Sequence, residues 1–317
     1  MTDTINNTFY LAFKNENPSW SLIGCASVVG LIALFGIILN FSVIYVTIRT
    51  KALRGTVNYL LALCSLFELL HQQGHFLFVY TAFSGQNFIE FRLATKLIFV
   101  SAFGLGGIYP TMFFTGIDRL IGIVFDEMQN TRKIRLYLTM VTIFCCMVGV
   151  NLCYTFYQNM TLYGDQMITG TIADFFKGYS YEKIIRFCTV LMTSVVYLIV
   201  GIVIKKKTAG LPSADQINHR AFRALICIVS VNFGGYCIYL LYTVLINPTI
   251  SSPITAWFLQ LIAAIPLNIG AASNGPILYF TSTEYRQAFQ AEFPFVFKRI
   301  SNQNQVAPQQ NVVAQNH

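Results

Sequence analysis

Charge is scarce in this chain. Only 11% of its 317 residues are Asp, Glu, Lys or Arg, against 55% hydrophobic ones, whereas a soluble domain carries about 25% charged residues. So few polar side chains cannot cover a water-facing surface, so much of the surface faces lipid. Paired cysteine motifs are missing too. None of the eight cysteines forms a CxxC pair, and Cys64, Cys145, Cys146, Cys227 and Cys237 lie inside apolar runs, where cysteine acts as a small hydrophobe. A disulfide scaffold is not expected. Catalytic signatures are lacking: no phosphate-cradling glycine loop, no HExxH and no GxSxG, while His219 and His317 stand alone. The expectation is a protein that is not an enzyme and uses no cofactor and no metal. A cleavable signal peptide is not seen either. The first apolar run, Trp20–Ile48, is far longer than the h-region of such a peptide.

What the chain does have is long apolar stretches, and seven can be marked: Trp20–Ile48, Val57–Phe83, Leu97–Phe125, Leu136–Tyr157, Ile184–Ile204, Ala224–Ile246 and Ala256–Phe280. Each is long enough to cross a ~30 Å hydrocarbon core. In hydrocarbon the backbone must satisfy its own hydrogen bonds, so each is expected to cross as a helix. Alternating ten-residue segments, the sign of a β-barrel, are not found. The fold class is therefore an all-α seven-transmembrane-helix bundle over 20–282. A short amphipathic membrane-surface helix is expected at 283–299, where Tyr285, Arg286, Phe289, Phe293, Phe297 and Lys298 alternate charge and aromatic bulk. The Asn- and Gln-rich composition of 300–317 predicts a disordered tail.

Orientation follows from lysine and arginine. With the N-terminal segment 1–19 outside, the cytoplasmic side holds fifteen of the 21 Lys and Arg residues and the exterior six. The sequons at Asn6 and Asn159 then both fall outside and are candidate glycosylation sites. The basic clusters flank membrane spans, so they follow topology and imply the lipid bilayer rather than nucleic acid as a partner.

Ionisable residues inside a span are costly, at ~2.5–3.5 kcal/mol on insertion scales, and point to function. Glu68 lies in the middle of the second stretch. His71 and His75 follow three and seven residues later on the same helical face, with Gln72 beside them. This stripe is expected to face the bundle interior and, with Ser101, to line a ligand pocket. It could also make the resting equilibrium respond to pH. Glu68 as a neutral hydrogen-bonded link between helices stays an alternative.

Four elements carry a resemblance to the rhodopsin-like receptors. They are Gly36-Ile37-Ile38-Leu39-Asn40 in the first stretch, the run Asn58 to Leu70 with Glu68 in the second, Asp118-Arg119-Leu120 at the end of the third, and Asn274-Gly275-Pro276-Ile277-Leu278-Tyr279 in the seventh. With the exit Ser282-Thr283-Glu284-Tyr285-Arg286, the chain looks like the nematode serpentine chemoreceptors of the Srsx class. The resemblance implies a receptor for an extracellular ligand, a small molecule or a peptide, that signals to a heterotrimeric G protein. It implies the plasma membrane, and the sensory cilium of a chemosensory neuron. It implies a coupling switch of Asp118, Arg119, Tyr197, Asn274, Pro276 and Tyr279, and an intramembrane polar or ion site of Asn40 facing Glu68. Departures are visible. No Trp–Pro element marks the sixth stretch, where Asn232-Phe233-Gly234-Gly235-Tyr236 stands. No cysteine sits at the start of the third stretch or in the loop Gln158–Tyr181, so the family's outer disulfide is not expected. Ser101 stands where amine receptors carry aspartate, which disfavours an amine. A proton-coupled transporter using Glu68, His71 and His75 is the alternative, although no internal repeat supports it.

Overall fold

The structure is a computed structural model that describes residues 2–124, 131–176, 180–208 and 215–295. A helix α1 (Thr2–Phe13) precedes seven antiparallel passes, and a last helix follows them. The passes are α2 (Trp20–Arg49), α3 (Thr56–Gln72) with α4 (His75–Phe83), α5 (Phe91–Val124), α6 (Thr131–Tyr163), α7 (Ser180–Thr208), α8 (Asp215–Leu241) with a π-helical turn Tyr242–Ile246, and α9 (Pro253–Ala272) with α10 (Asn274–Thr281). The last helix is α11 (Thr283–Glu292). Among the described residues, five helical segments are long and apolar enough to cross a membrane. The second pass is divided, and the fifth has a shorter apolar core, Phe187–Val203. The exterior is greasy, as a lipid-facing bundle requires: Leu31, Phe35, Leu198 and Ile262 are all exposed.

The two broken passes have physical causes. In the second, the His71 carbonyl would accept from the His75 N–H in a continuous helix. Instead it accepts from Ser101 Oγ at 2.7 Å and from the Gly74 N–H at 3.0 Å. Glycine, a poor helix former, makes the interruption cheap. In the seventh, Pro276 has no N–H to offer the Ala272 carbonyl, and α9 ends at that residue. The seventh pass is therefore fully broken at Ser273.

Two features lie beyond the sequence expectations. The loop between the fourth and fifth passes is not structureless. Its strand β2 (Met167–Ile168) pairs antiparallel with β1 (Ile89–Glu90), Ile89 opposite Ile168. The Phe91 N–H donates to the Gln166 carbonyl at 2.8 Å, and the Arg92 N–H to the Gly164 carbonyl at 3.1 Å. Phe175 is fully buried and packs on Phe91 and Phe156. All eight cysteines are free, so backbone pairing and aromatic packing hold the loop to the third pass. In the N-terminal segment, read only as 1–19 outside, Phe9 and Phe13 lie four residues apart on one face of α1. They pack on Trp257 and Phe258 of α9, with ring centroids 4.6 Å apart for Phe9–Trp257 and 6.1 Å for Phe13–Phe258. Asn87, in a left-handed conformation at φ 59°, donates to the Phe13 carbonyl at 3.0 Å and ties α1 to the second pass.

Helix α11 is amphipathic and ends at Glu292, short of the expected 299. It starts where Ser282 caps the Tyr285 N–H, and Tyr285, Ala288 and Phe289 form its buried face. The tail 300–317 lies outside the described residues.

Candidate functional site

A cavity opens at the N-terminal end of the bundle, between the second, third, sixth and seventh passes. It holds about 1000 Å³ of space, open mouth included. The loop residues Thr171, Ile172, Ala173 and Phe176 form its roof, and its polar lining includes His71, His75, Tyr236, Tyr239, Thr243 and Asn268. A deeper cavity of about 560 Å³ shares His71, Leu105, Tyr109, Leu267 and Asn268 with it and ends at Glu68 and Asn232. The two form a stepped path into the bundle.

Most polar groups on that path have partners, Tyr239 accepting from Gln260 Nε2 at 2.9 Å. The His71 and His75 rings stand 5.4 Å apart, edge to face. His75 Nε2 and Glu68 Oε2 are buried without hydrogen-bond partners. Such groups cost about 1–3 kcal/mol each when nothing meets them, so this is where an added polar group would gain most. Of the stripe read from the sequence, Glu68, His71 and His75 reach the cavities. Gln72 and Ser101 do not. Gln72 turns away: its carboxamide carbon lies 3.1 Å from where a Cβ on Gly36 would stand, with the Ala272 methyl beside it. Ser101 is spent on the His71 carbonyl. The expected pairing of Asn40 with Glu68 is also replaced. Asn40 Oδ1 accepts from Asn274 Nδ2 at 3.1 Å, and Asn40 Nδ2 donates to the Ala271 carbonyl at 3.0 Å. The break at Ser273 frees the seventh pass to turn its polar groups toward the first, which takes Asn40 away from Glu68.

At the opposite end of the bundle, Asp118 and Arg119 lie in the last two turns of the third pass. Asp118 does not hold its neighbour: its Oδ2 accepts from Thr56 Oγ1 at 2.8 Å, and no ion pair joins it to Arg119 among the described residues. Successive helical residues project about 100° apart, so Asp118 faces α3 while Arg119 faces inward. The polar neighbours of the guanidinium include Asp118, Tyr197, Glu284 and Tyr285. Tyr197 is buried against Gly116, one turn before Arg119. Tyr279 packs on α11 instead, its carbonyl accepting from Arg286 Nε at 3.1 Å and its hydroxyl from Gln290 Nε2 at 3.4 Å. Tyr285, whose hydroxyl bonds Thr47 at 3.1 Å, is among the polar neighbours of Arg119.

The family model for the serpentine seven-transmembrane G-protein-coupled chemoreceptors of type Srsx matches residues 33–293. The chain belongs to that family. No curated protein matches it.

Three site residues of this Srsx receptor escaped the sequence reading. Asn268 could have been found, since it is a polar residue inside an apolar stretch, as Glu68 is. Tyr285 was visible only as part of an aromatic and charged alternation. Thr56 carries no signal, because a threonine at the start of a span is ordinary. The sixth pass also gains an explanation. A Cβ on Gly235 would lie 2.8 Å from Leu267 Cα, so Gly235 lets the sixth and seventh passes touch backbone to backbone, whereas a Cβ on Gly234 would meet nothing within 4 Å.

Asn159 is corrected as a glycosylation site. It lies in α6, is fully buried, and its Nδ2 donates to the Phe175 carbonyl at 2.9 Å. A glycan on that nitrogen would displace the loop. Asn6 lies in α1, and its side chain is outside the described residues. Glycosidase treatment of cell-made protein is expected to shift gel mobility through Asn6 alone. Asn6→Gln should abolish the shift, and a shift that survives it would restore Asn159.

Proposed function

We propose that this chain is a plasma-membrane chemosensory receptor, placed in the sensory cilium of a chemosensory neuron. It binds a small, uncharged molecule from outside and passes occupancy to a heterotrimeric G protein. The observation that carries this reading is the outer cavity. Its lining includes aromatic and aliphatic walls, two histidines, an asparagine and tyrosines, and no Asp, Glu, Lys or Arg among the described residues. A permanently charged ligand would find no counter-ion there, and burying it unpaired would cost several kcal/mol. Thr171, Ile172, Ala173 and Phe176 cover the mouth, which favours a small molecule over a peptide.

The N-terminal end is taken as the exterior because fifteen of 21 basic residues flank the other end. The ligand shifts the receptor toward a conformation whose inner face admits the G protein, by no more than its differential affinity for the two states. Asn40, Asn274 and the Pro276 break are the hinge through which that shift reaches Arg119.

The test is nucleotide exchange on a G protein in a ligand screen. With an active compound in hand, His75→Phe should raise its half-maximal concentration about tenfold or more at matched surface abundance, the cost of one lost hydrogen bond in an apolar site. Unchanged potency would move the ligand elsewhere. Solute flux in proteoliposomes, with no exchange, would favour a proton-coupled transporter using Glu68, His71 and His75.

A further inference from the structure

The hydrogen bonds around the two cavity histidines decide which nitrogen of each ring carries the proton. Asn268 Nδ2 donates to the Ala264 carbonyl at 3.0 Å. That contact orients the carboxamide, because a flipped side chain would set its oxygen against a carbonyl oxygen. The amide oxygen is then the end left for the His75 ring, to which Asn268 is hydrogen-bonded. His75 Nε2 has no partner, so Nδ1 makes this bond. An amide oxygen only accepts, so Nδ1 is the donor and carries the proton.

A neutral imidazole with its proton on one nitrogen presents the other as a bare acceptor. His75 is in that neutral form. It is 7% exposed, and its cavity is lined by no Asp, Glu, Lys or Arg among the described residues. An imidazolium buried there would have no counter-ion. Glu68, the only acid of the second pass, lines the deeper cavity. His75 lines the outer one with Nδ1 occupied, so Nε2 is the ring atom left for a guest. The neighbouring ring is set the same way. Ser101 has a single hydroxyl proton and gives it to the His71 carbonyl at 2.7 Å. In its 3.5 Å contact with His71 Nδ1 the ring is therefore the donor.

We infer that the outer cavity selects an uncharged hydrogen-bond donor, of which an alcohol or a phenol is the simplest, that gives its proton to His75 Nε2. Such selection builds on the cavity being the ligand site proposed above. An ether, aldehyde or ketone of the same skeleton offers only lone pairs. These repel the lone pair of Nε2 and leave the buried nitrogen unmet. An ammonium group could donate, but its charge would go unpaired. Asn268 is a positioning residue: it acts through the ring, by holding the proton on Nδ1.

The experiment uses the full chain in phosphatidylcholine nanodiscs, its histidines labelled with heavy nitrogen. Nitrogen NMR separates protonated from bare imidazole nitrogens with no ligand present, and subtracting the spectrum of His75→Phe picks out the His75 signals. The expected result is a protonated Nδ1 and a bare Nε2. His71 should show the same protonated Nδ1, so the pattern can be read even if His75→Phe fails to fold. Asn268→Leu should release His75 into a mixture of both tautomers, which a merely structural asparagine would not do. Octanol, cyclohexylmethanol and phenylethanol are then added, each beside its methyl ether and the matching aldehyde. In the unaltered chain the alcohol should shift the Nε2 signal at about tenfold lower concentration than its ether or aldehyde. In Asn268→Leu that preference should disappear. A proton on Nε2 in the unaltered chain would overturn the selection, as would an ether or aldehyde that matches its alcohol. A bare Nε2 and a preference for alcohols, with no nucleotide exchange by any compound, would leave the selection standing and count against the receptor reading.

Discussion

Arg119→Ala is expected to remove signalling while leaving the ligand cavity untouched. An active compound should bind it with an affinity within about threefold of the unaltered receptor, yet drive no nucleotide exchange above background. The reason is placement. Arg119 lies in the last two turns of the third pass, with Tyr197 and Tyr285 among its polar neighbours, and the cavity opens at the other end of the bundle. Its guanidinium Nε is buried and unpaired, a state that a fork of donors leaves when an acceptor arrives from outside the chain. In the proposed coupling scheme the Asp118–Thr56 hydrogen bond, rather than an ion pair to the arginine, holds the resting state. Asp118→Asn and Thr56→Val should therefore both raise basal exchange, by a coupling of about 1–3 kcal/mol. Radioligand binding and exchange, measured at matched surface abundance, decide it. Normal exchange by Arg119→Ala would sink the proposed coupling route.

The other large effect concerns folding. Gly104→Ala should abolish surface expression or lower the thermal midpoint sharply, because the added methyl has nowhere to go. A Cβ there would lie 2.5 Å from the Phe67 carbonyl oxygen and 2.7 Å from the His71 amide nitrogen. Both obstacles are backbone of α3, so the third pass would have to move off the second as a body. Overpacking a close contact costs about 1–3 kcal/mol when side chains can yield, and backbone yields less. The control is Gly24→Ala. Nothing lies within 4 Å of that position, and alanine is the better helix former, so its midpoint should stay level or rise. Surface labelling and a thermal melt in detergent read both. Equal behaviour of the two variants would mean that the second and third passes are not this close.

The seven passes were legible in the sequence because hydrophobic length needs no partner to be read. The polar stripe was legible for the same reason: Glu68, His71 and His75 stand out against apolar surroundings. What each residue touches was not legible. Gln72 and Ser101 share the stripe's neighbourhood, but one turns toward Gly36 and the other toward the His71 carbonyl. Those choices follow from the helix break, and the break depends on an acceptor being taken by a different pass. Likewise Tyr279 matches the family motif by spacing, whereas Tyr285 joins the polar neighbours of Arg119 from α11, which Ser282 caps. Strands β1 and β2 are two residues each, too short for any alternation to register. The helix α1 depends on Trp257 and Phe258, some 250 residues away in sequence, and no local pattern announces such a partner.

The roof over the cavity has one more implication, for how the molecule is made and how it ages. Sulfur takes no part in that closure. Its fastening is the pairing of Ile89 with Ile168, the two backbone bonds that follow it, and the Phe91–Phe175–Phe156 stack. Maturation of this end of the chain thus requires neither an oxidant nor an isomerase to shuffle wrong pairings. Glutathione has nothing there to cleave. A covalent staple is either intact or cut, but a short ladder zips and unzips under thermal energy. In the proposed receptor such a roof would let a guest enter and leave without bond chemistry.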